Sequence, residues 1–128
     1  MSFDEKFKSK SILVAEDDED TRCMMQDILE AMGCVFEFAF DGLHALELFK
    51  TKKYDMILMD VRMPKMDGIT TITEIRKLEK GDEHTPIVAL TASIQELRAG
   101  PTIEGADGFL EKPINIDNLS ELMSKLMK

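Results

Sequence analysis

Apolar and polar positions along this chain follow two rhythms, and the changes between them mark its elements. Ser11-Ile12-Leu13-Val14-Ala15 is a short apolar run, as are Asp55–Met59, Pro86–Leu90 and Gly108–Glu111. Runs of this length bounded by polar residues predict buried strands. Between them apolar residues recur at three- and four-residue spacing, which predicts helices with one face turned inward. Asp18–Met32 carries Met24, Met25, Ile28, Leu29 and Met32 on one face, with Gly33 just past its end. Asp41 suits the N-cap of a helix through Lys50, with Ala45, Leu46 and Phe49 inward. Asp67-Gly68 opens a helix with Ile69, Ile72, Ile75 and Leu78 on its apolar face, stopping near Lys80-Gly81. A further helix is expected from Ser93. The last presents Ile116, Leu119, Leu122, Met123 and Leu126. Cys34–Phe40 alternates instead: Cys34, Phe36, Phe38 and Phe40 share one face, Val35, Glu37 and Ala39 the other. A charge on one face of a strand predicts an edge position.

Five strand–helix units follow one another, and each helix is long enough to carry a parallel crossover. Strands that are apolar on both faces fit a parallel sheet covered on both sides. The predicted fold is therefore α/β, a doubly wound five-stranded parallel sheet with helices on both faces. Asp55–Met59 is expected at its centre. Gly100-Pro101 interrupts the helix expected from Ser93, and proline in a helix interior costs about 3 kcal/mol. That helix is expected to end near Ala99, with Thr102–Asp107 irregular. The chain reads as a flexible segment 1–10 followed by one domain, 11–128.

Composition narrows the function classes. At 128 residues the chain supports one domain with a substantial core. No apolar run approaches the roughly 20 residues of a membrane span. The opening Met1-Ser2-Phe3-Asp4-Glu5-Lys6 is polar and unlike a signal peptide, so a cytoplasmic protein without membrane contact is expected. A net charge of −9 argues against direct nucleic-acid binding, because no basic stripe is available to meet phosphates. Cys23 and Cys34 sit at no metal-ligand spacing and are read as reduced. The ten methionines are read as core filler. His44 and His84 have no paired acid at readable spacing and are placed on the surface. No glycine-rich nucleotide loop occurs.

The chemistry lies where the apolar runs end. Tyr54-Asp55-Met56-Ile57-Leu58-Met59 stops at Asp60, the first run enters Glu16-Asp17-Asp18, the fourth ends at Thr91 and the fifth at Lys112-Pro113. In open α/β sheets the rim at the strand C-termini is where ligands bind. Glu16, Asp17 and Asp60 would bring three carboxylates to that rim, and like charges so close call for a proton or a cation. Oxygen ligands with room for water suit Mg²⁺. The acids from Asp18 to Asp20 are explained more simply, as a helix start favoured by the dipole. Asp60 is then a candidate nucleophile able to accept a phosphoryl group as an acyl phosphate. Phosphoryl transfer needs positioning and positive charge, which Mg²⁺ and Lys112 would supply, with Thr91 and the Ala92 amide for the remaining oxygen.

These motifs, in order and at compatible spacing, resemble the receiver domain of two-component response regulators. They are Ile12-Leu13-Val14-Ala15-Glu16-Asp17-Asp18, Met56–Pro64, Met66-Asp67-Gly68, Leu90-Thr91-Ala92 and Lys112-Pro113. The resemblance implies a flavodoxin-like sheet of order 2-1-3-4-5. It implies that Asp60 takes phosphate from a histidine kinase or histidine phosphotransfer protein, and that phosphorylation switches binding of a downstream protein. It implies a Mg²⁺ site of Asp17, Asp60 and the backbone carbonyl of Arg62, with Glu16 helping. Thr91 and Lys112 would contact the phosphoryl group, and Thr91 and Phe109 would act as the switch pair. Glu16 stands where the family usually has aspartate, and Phe109 where it often has tyrosine. Arg62 and Ser93 lie at positions that tune phosphate lifetime in the family. A phosphatase of the haloacid dehalogenase type also uses a strand-end aspartate with Mg²⁺. It needs a second acid two residues on, where this chain has Arg62, and no cap insertion is present. A receiver-like scaffold that is never phosphorylated is the third alternative, opposed by the intact Asp17, Asp60, Thr91 and Lys112.

Overall fold

Five parallel strands form one sheet in the order β2-β1-β3-β4-β5: β1 Ser11–Ala15, β2 Val35–Ala39, β3 Met56–Asp60, β4 Ile87–Thr91 and β5 Gly108–Glu111. Among the described residues four helices accompany them: α1 Glu19–Ala31, α2 Gly42–Thr51, α3 Gly68–Leu78 and α4 Ile116–Leu126. This computed structural model describes residues 7–63, 65–92 and 104–127. The helix expected from Ser93 and the Gly100-Pro101 break lie outside the described residues.

The strands divide the core by side-chain parity, because successive residues point to opposite faces. Ile12, Val14, Met56, Leu58, Val88 and Leu90 face α1 and α4, meeting Met25, Leu29, Leu119 and Met123. Leu13, Ala15, Ile57, Met59, Ile87 and Ala89 face α2 and α3, meeting Ala45, Ile72 and Ile75. β2 is at the edge, as its charged face predicted, and β3 is central. Met25, Met32, Met56, Met59 and Met123 are buried, so methionine does fill the core.

Helix starts follow the side chains that cap them. Asp18, Asp41, Asp67 and Asn115 each accept a hydrogen bond from the backbone N–H three residues on, which satisfies an otherwise orphaned donor. Gly33, just past α1, takes the left-handed φ of +77° that ends the helix.

Several expectations need correction. Met24 is not on the buried face of α1 but 39% exposed, since a helix resting on a sheet buries a narrower stripe than the sequence pattern suggests. β2 is shorter than Cys34–Phe40, and Phe40 is exposed beyond the sheet edge. β3 and β4 each run one residue further, so Asp60 and Thr91 are the last residues of their strands rather than the first beyond them. Within the segment read as flexible, Phe7 is 2% exposed and belongs to the core, and the Ser9 amide donates to Gly33 O. His84 is a surface residue as expected, yet its Nε2 lies 2.7 Å from Asp107 Oδ1, a partner 23 residues away.

Candidate functional site

Parallel strands share one direction, so the ends of β1, β3, β4 and β5 open onto one rim of the sheet. The β3–β4 ladder continues past the strand as Val61 N–H donates to Leu90 O. The β4–β5 ladder ends with Lys112 N–H donating to Thr91 O at 2.7 Å. These bonds fix Asp60, Thr91 and Lys112 side by side. Gly68 brings the start of α3 against β3: a Cβ there would collide with the Asp60 carbonyl oxygen. Only glycine permits that approach.

At the rim Glu16, Asp17 and Asp60 each offer a carboxylate oxygen within 4.8 Å of the others, the one such trio among the described residues. Glu16 and Asp60 are buried and Asp17 is exposed. Lys112 Nζ lies 2.9 Å from Glu16 Oε1 and 3.2 Å from Asp60 Oδ2. Asp60 Oδ1 accepts from the Arg62 amide at 3.1 Å. Glu16 Oε2 accepts from the Asp18 amide at 3.1 Å, which fixes the carboxylate plane.

Charge is unevenly satisfied here. Burial pushes the Glu16 carboxyl up to about 7, Lys112 and the Asp18 amide oppose this, and Asp60 adds to it. Burial pulls the Lys112 ammonium down, but Glu16 and Asp60 outweigh burial and hold it above the ordinary lysine range. Glu16 Oε1 is close to Lys112 yet lacks an aligned hydrogen-bond donor. The contact is an ion pair, with the ammonium near but off the direction of a good hydrogen bond. A buried acceptor left so, beside two further carboxylates, is the condition a divalent cation relieves. The donor set is all oxygen and fits Mg²⁺ chemistry.

The other named residues fall around this centre. Thr91 is 5% exposed at the end of β4. Phe109, on β5 in register with Ala89, is 39% exposed. Arg62 stands two residues after Asp60 and holds it through its amide. Sequence reasoning did not include Arg22, whose Nη1 donates to Glu16 O at 3.0 Å. Its place six residues after Glu16, on the first turn of α1, was the available signal.

Residues 12–124 match the family model for the response regulator receiver domain. The peroxide stress-activated histidine kinase mak1 of Schizosaccharomyces pombe is 37% identical over 123 residues, covering 91% of this chain and 8% of that protein. The aerobic respiration control sensor protein ArcB of Escherichia coli is 31% identical over 115 residues, covering 90% of this chain and 15% of that protein. This chain thus spans a small fraction of the curated relatives it matches. Among solved structures, the receiver domain of a Pseudomonas aeruginosa sensor histidine kinase, with magnesium coordinated in its active-site cleft, superposes with a TM-score of 0.85. It is 31% identical, and the match covers 93% of this chain and 98% of that one. The response regulator TrrA of Thermotoga maritima, in complex with Mg²⁺ and BeF, gives a TM-score of 0.81 at 32% identity, covering 91% and 98%. With the sheet order, the acidic rim and a family match over nearly its whole length in agreement, the chain belongs to the response regulator receiver domain family.

Proposed function

We propose that Asp60 accepts a phosphoryl group from a phosphohistidine donor and that the modified domain acts as a binding switch. The observation that carries this reading is the trio Glu16, Asp17 and Asp60 within 4.8 Å, faced by Lys112 at 2.9 and 3.2 Å. Asp60 attacks phosphorus through a carboxylate oxygen. The P–N bond of the donor breaks, and its electron pair returns to the imidazole. Mg²⁺, held by Asp17, Asp60 and the Arg62 carbonyl with Glu16 beside them, would supply positive charge against the phosphoryl oxygens. Lys112 already points at Asp60 and adds a mobile ammonium to the same task. Thr91 ends the strand adjacent to Asp60 and offers its hydroxyl to a phosphoryl oxygen.

The donor is a histidine kinase or a histidine phosphotransfer protein, consistent with the histidine kinases among the curated relatives. The reaction occurs once per switching cycle, so the chain is a switch with slow self-dephosphorylation rather than a turnover enzyme. Phe109 is the second switch residue: its ring is partly exposed and moves inward as Thr91 is drawn to the phosphoryl group. No helix among the described residues is long and apolar enough to cross a membrane.

The test is intact mass after incubation with acetyl phosphate and Mg²⁺, beside an Asp60→Asn control. One added phosphoryl group on the wild type, lost with the control and with EDTA, supports the reading. No adduct under rapid quenching, with no binding of beryllofluoride, overturns it in favour of an unphosphorylated scaffold.

A further inference from the structure

Glu16 stands one residue past β1, and its backbone is held from two sides. Its amide donates to Ala39 O at 3.0 Å, but the registers of β1 with β2 and with β3 both end at Ala15. Its carbonyl has therefore left both ladders. Arg22, from α1, supplies the donor at 3.0 Å. The guanidinium is itself fixed: its carbon lies 4.6 Å over the Phe40 ring. Phe40 is anchored in turn by its amide, which donates to His44 Nδ1 at 3.2 Å, and by its ring, 5.5 Å from the imidazole. A string of contacts thus runs from the start of α2 through Phe40 and Arg22 to the peptide that orients two carboxylates.

Coulomb's law and geometry make opposite demands on Arg22. A guanidinium bonded to the Glu16 carbonyl carries positive charge that repels a metal ion and should weaken its binding. A guanidinium that fixes the peptide bearing Glu16 and Asp17 should strengthen it, as partners of ligand residues commonly do. We propose that Arg22 is a positioning residue. It holds the β1–α1 turn so that Glu16 and Asp17 face Asp60 for a divalent cation, and Phe40 fixes its guanidinium plane. The inference rests on the cation site proposed above.

The experiment is Mg²⁺ titration calorimetry on the full chain and on Arg22→Met, Arg22→Lys and Phe40→Leu. Melting in EDTA checks that each variant is folded. Amide resonances of Glu16 and Asp17 are recorded without metal. Arg22→Met weakens Mg²⁺ binding about tenfold although it removes a positive charge. Arg22→Lys, which keeps the charge but loses the planar fork, weakens it also. Phe40→Leu weakens it less, and the Glu16 and Asp17 resonances move in all three. Unchanged or tighter binding by Arg22→Met overturns the inference. Wild-type affinity with unmoved resonances in Phe40→Leu overturns it too, and that variant removes none of the groups that hydrogen-bond Glu16 should the Arg22 variants fail to fold. A wild type that binds no Mg²⁺ overturns the cation site itself, and is thereby distinguished from failure of the positioning role alone.

Discussion

Lys112 is the side chain on which the electrostatics of the rim turns. It bridges Glu16 and Asp60, and its ammonium is held in the charged form by both. Removing one member of a partly buried ion cluster leaves the others uncompensated. Lys112→Met is therefore expected to destabilise the protein in EDTA by about 2 kcal/mol, less than a buried charge can cost because Glu16 can protonate. The same variant should gain more from Mg²⁺ than the wild type, since the cation then meets no competing ammonium. Melting curves with and without Mg²⁺ measure both effects. Equal Mg²⁺ shifts in the two proteins would show that Lys112 and the cation do not share Glu16 and Asp60. The identity of these residues was legible in the sequence because each ends an apolar run. Their pairing was not, since the distances depend on how far each strand extends. Asp60 and Thr91 proved to be strand residues, one position further inside than the runs suggested.

Elements here are tied together by side chains that span long stretches of sequence. Arg76, near the end of α3, uses its whole fork. Nε and Nη2 donate to Gly105 O at 3.0 and 2.7 Å, Nη1 to Glu79 Oε1 and Thr85 O at 2.8 and 2.9 Å, and Nη2 to Asp107 Oδ2 at 2.8 Å. Asp107 Oδ2 also accepts from the Ile87 amide, so α3 is bound to the starts of β4 and β5 at once. The Arg76 side chain is 18% exposed and that of Asp107 is 23%, which sets this cluster apart from solvated surface pairs. Arg76→Ala should cost about 3 kcal/mol in urea unfolding. Arg76→Lys should recover only a minor part, because an ammonium cannot reproduce the fork. A lysine variant within about 0.5 kcal/mol of wild type would remove the geometric argument. This cluster also shows where sequence reasoning stopped. Helix caps at Asp18, Asp41 and Asp67 are local and were readable, or inferable, from residue type. Arg76–Asp107 and His84–Asp107 join residues 31 and 23 apart, and no periodicity announces such contacts. Met24 failed for a related reason, as the width of the buried stripe on α1 is set by the sheet beneath it.

For the molecule as a whole, the central question is whether a core split by a sheet behaves as one unit. The two apolar clusters lie on opposite faces, but β1, β3 and β4 contribute alternate residues to both. Neither face can lose its strands without destroying the other, so unfolding should be a single transition. The sequence provides a reporter for each face. Tyr54, the one tyrosine, is buried with Ile57 and Ile72, and its hydroxyl donates to Glu37 Oε1. Cys34 is buried with Met25 and Leu29, and burial together with the Asp55 charge pushes its thiol up to about 11. That value lies above the ordinary thiol, so the stability it contributes is present below about pH 9 and lost as pH rises towards 11. At pH 8 it is constant, and Cys34 should resist a thiol reagent until the chain opens, whereas exposed Cys23 reacts at once. Tyr54 fluorescence and Cys34 labelling should then give the same urea midpoint. Mg²⁺ at the rim, where β1 and β3 end together, should move both midpoints equally, by up to about 2.7 kcal/mol at a hundredfold excess over its Kd. Separate midpoints, or a Mg²⁺ shift seen by one probe alone, would mean that the two faces unfold independently and that the rim is coupled to only one of them.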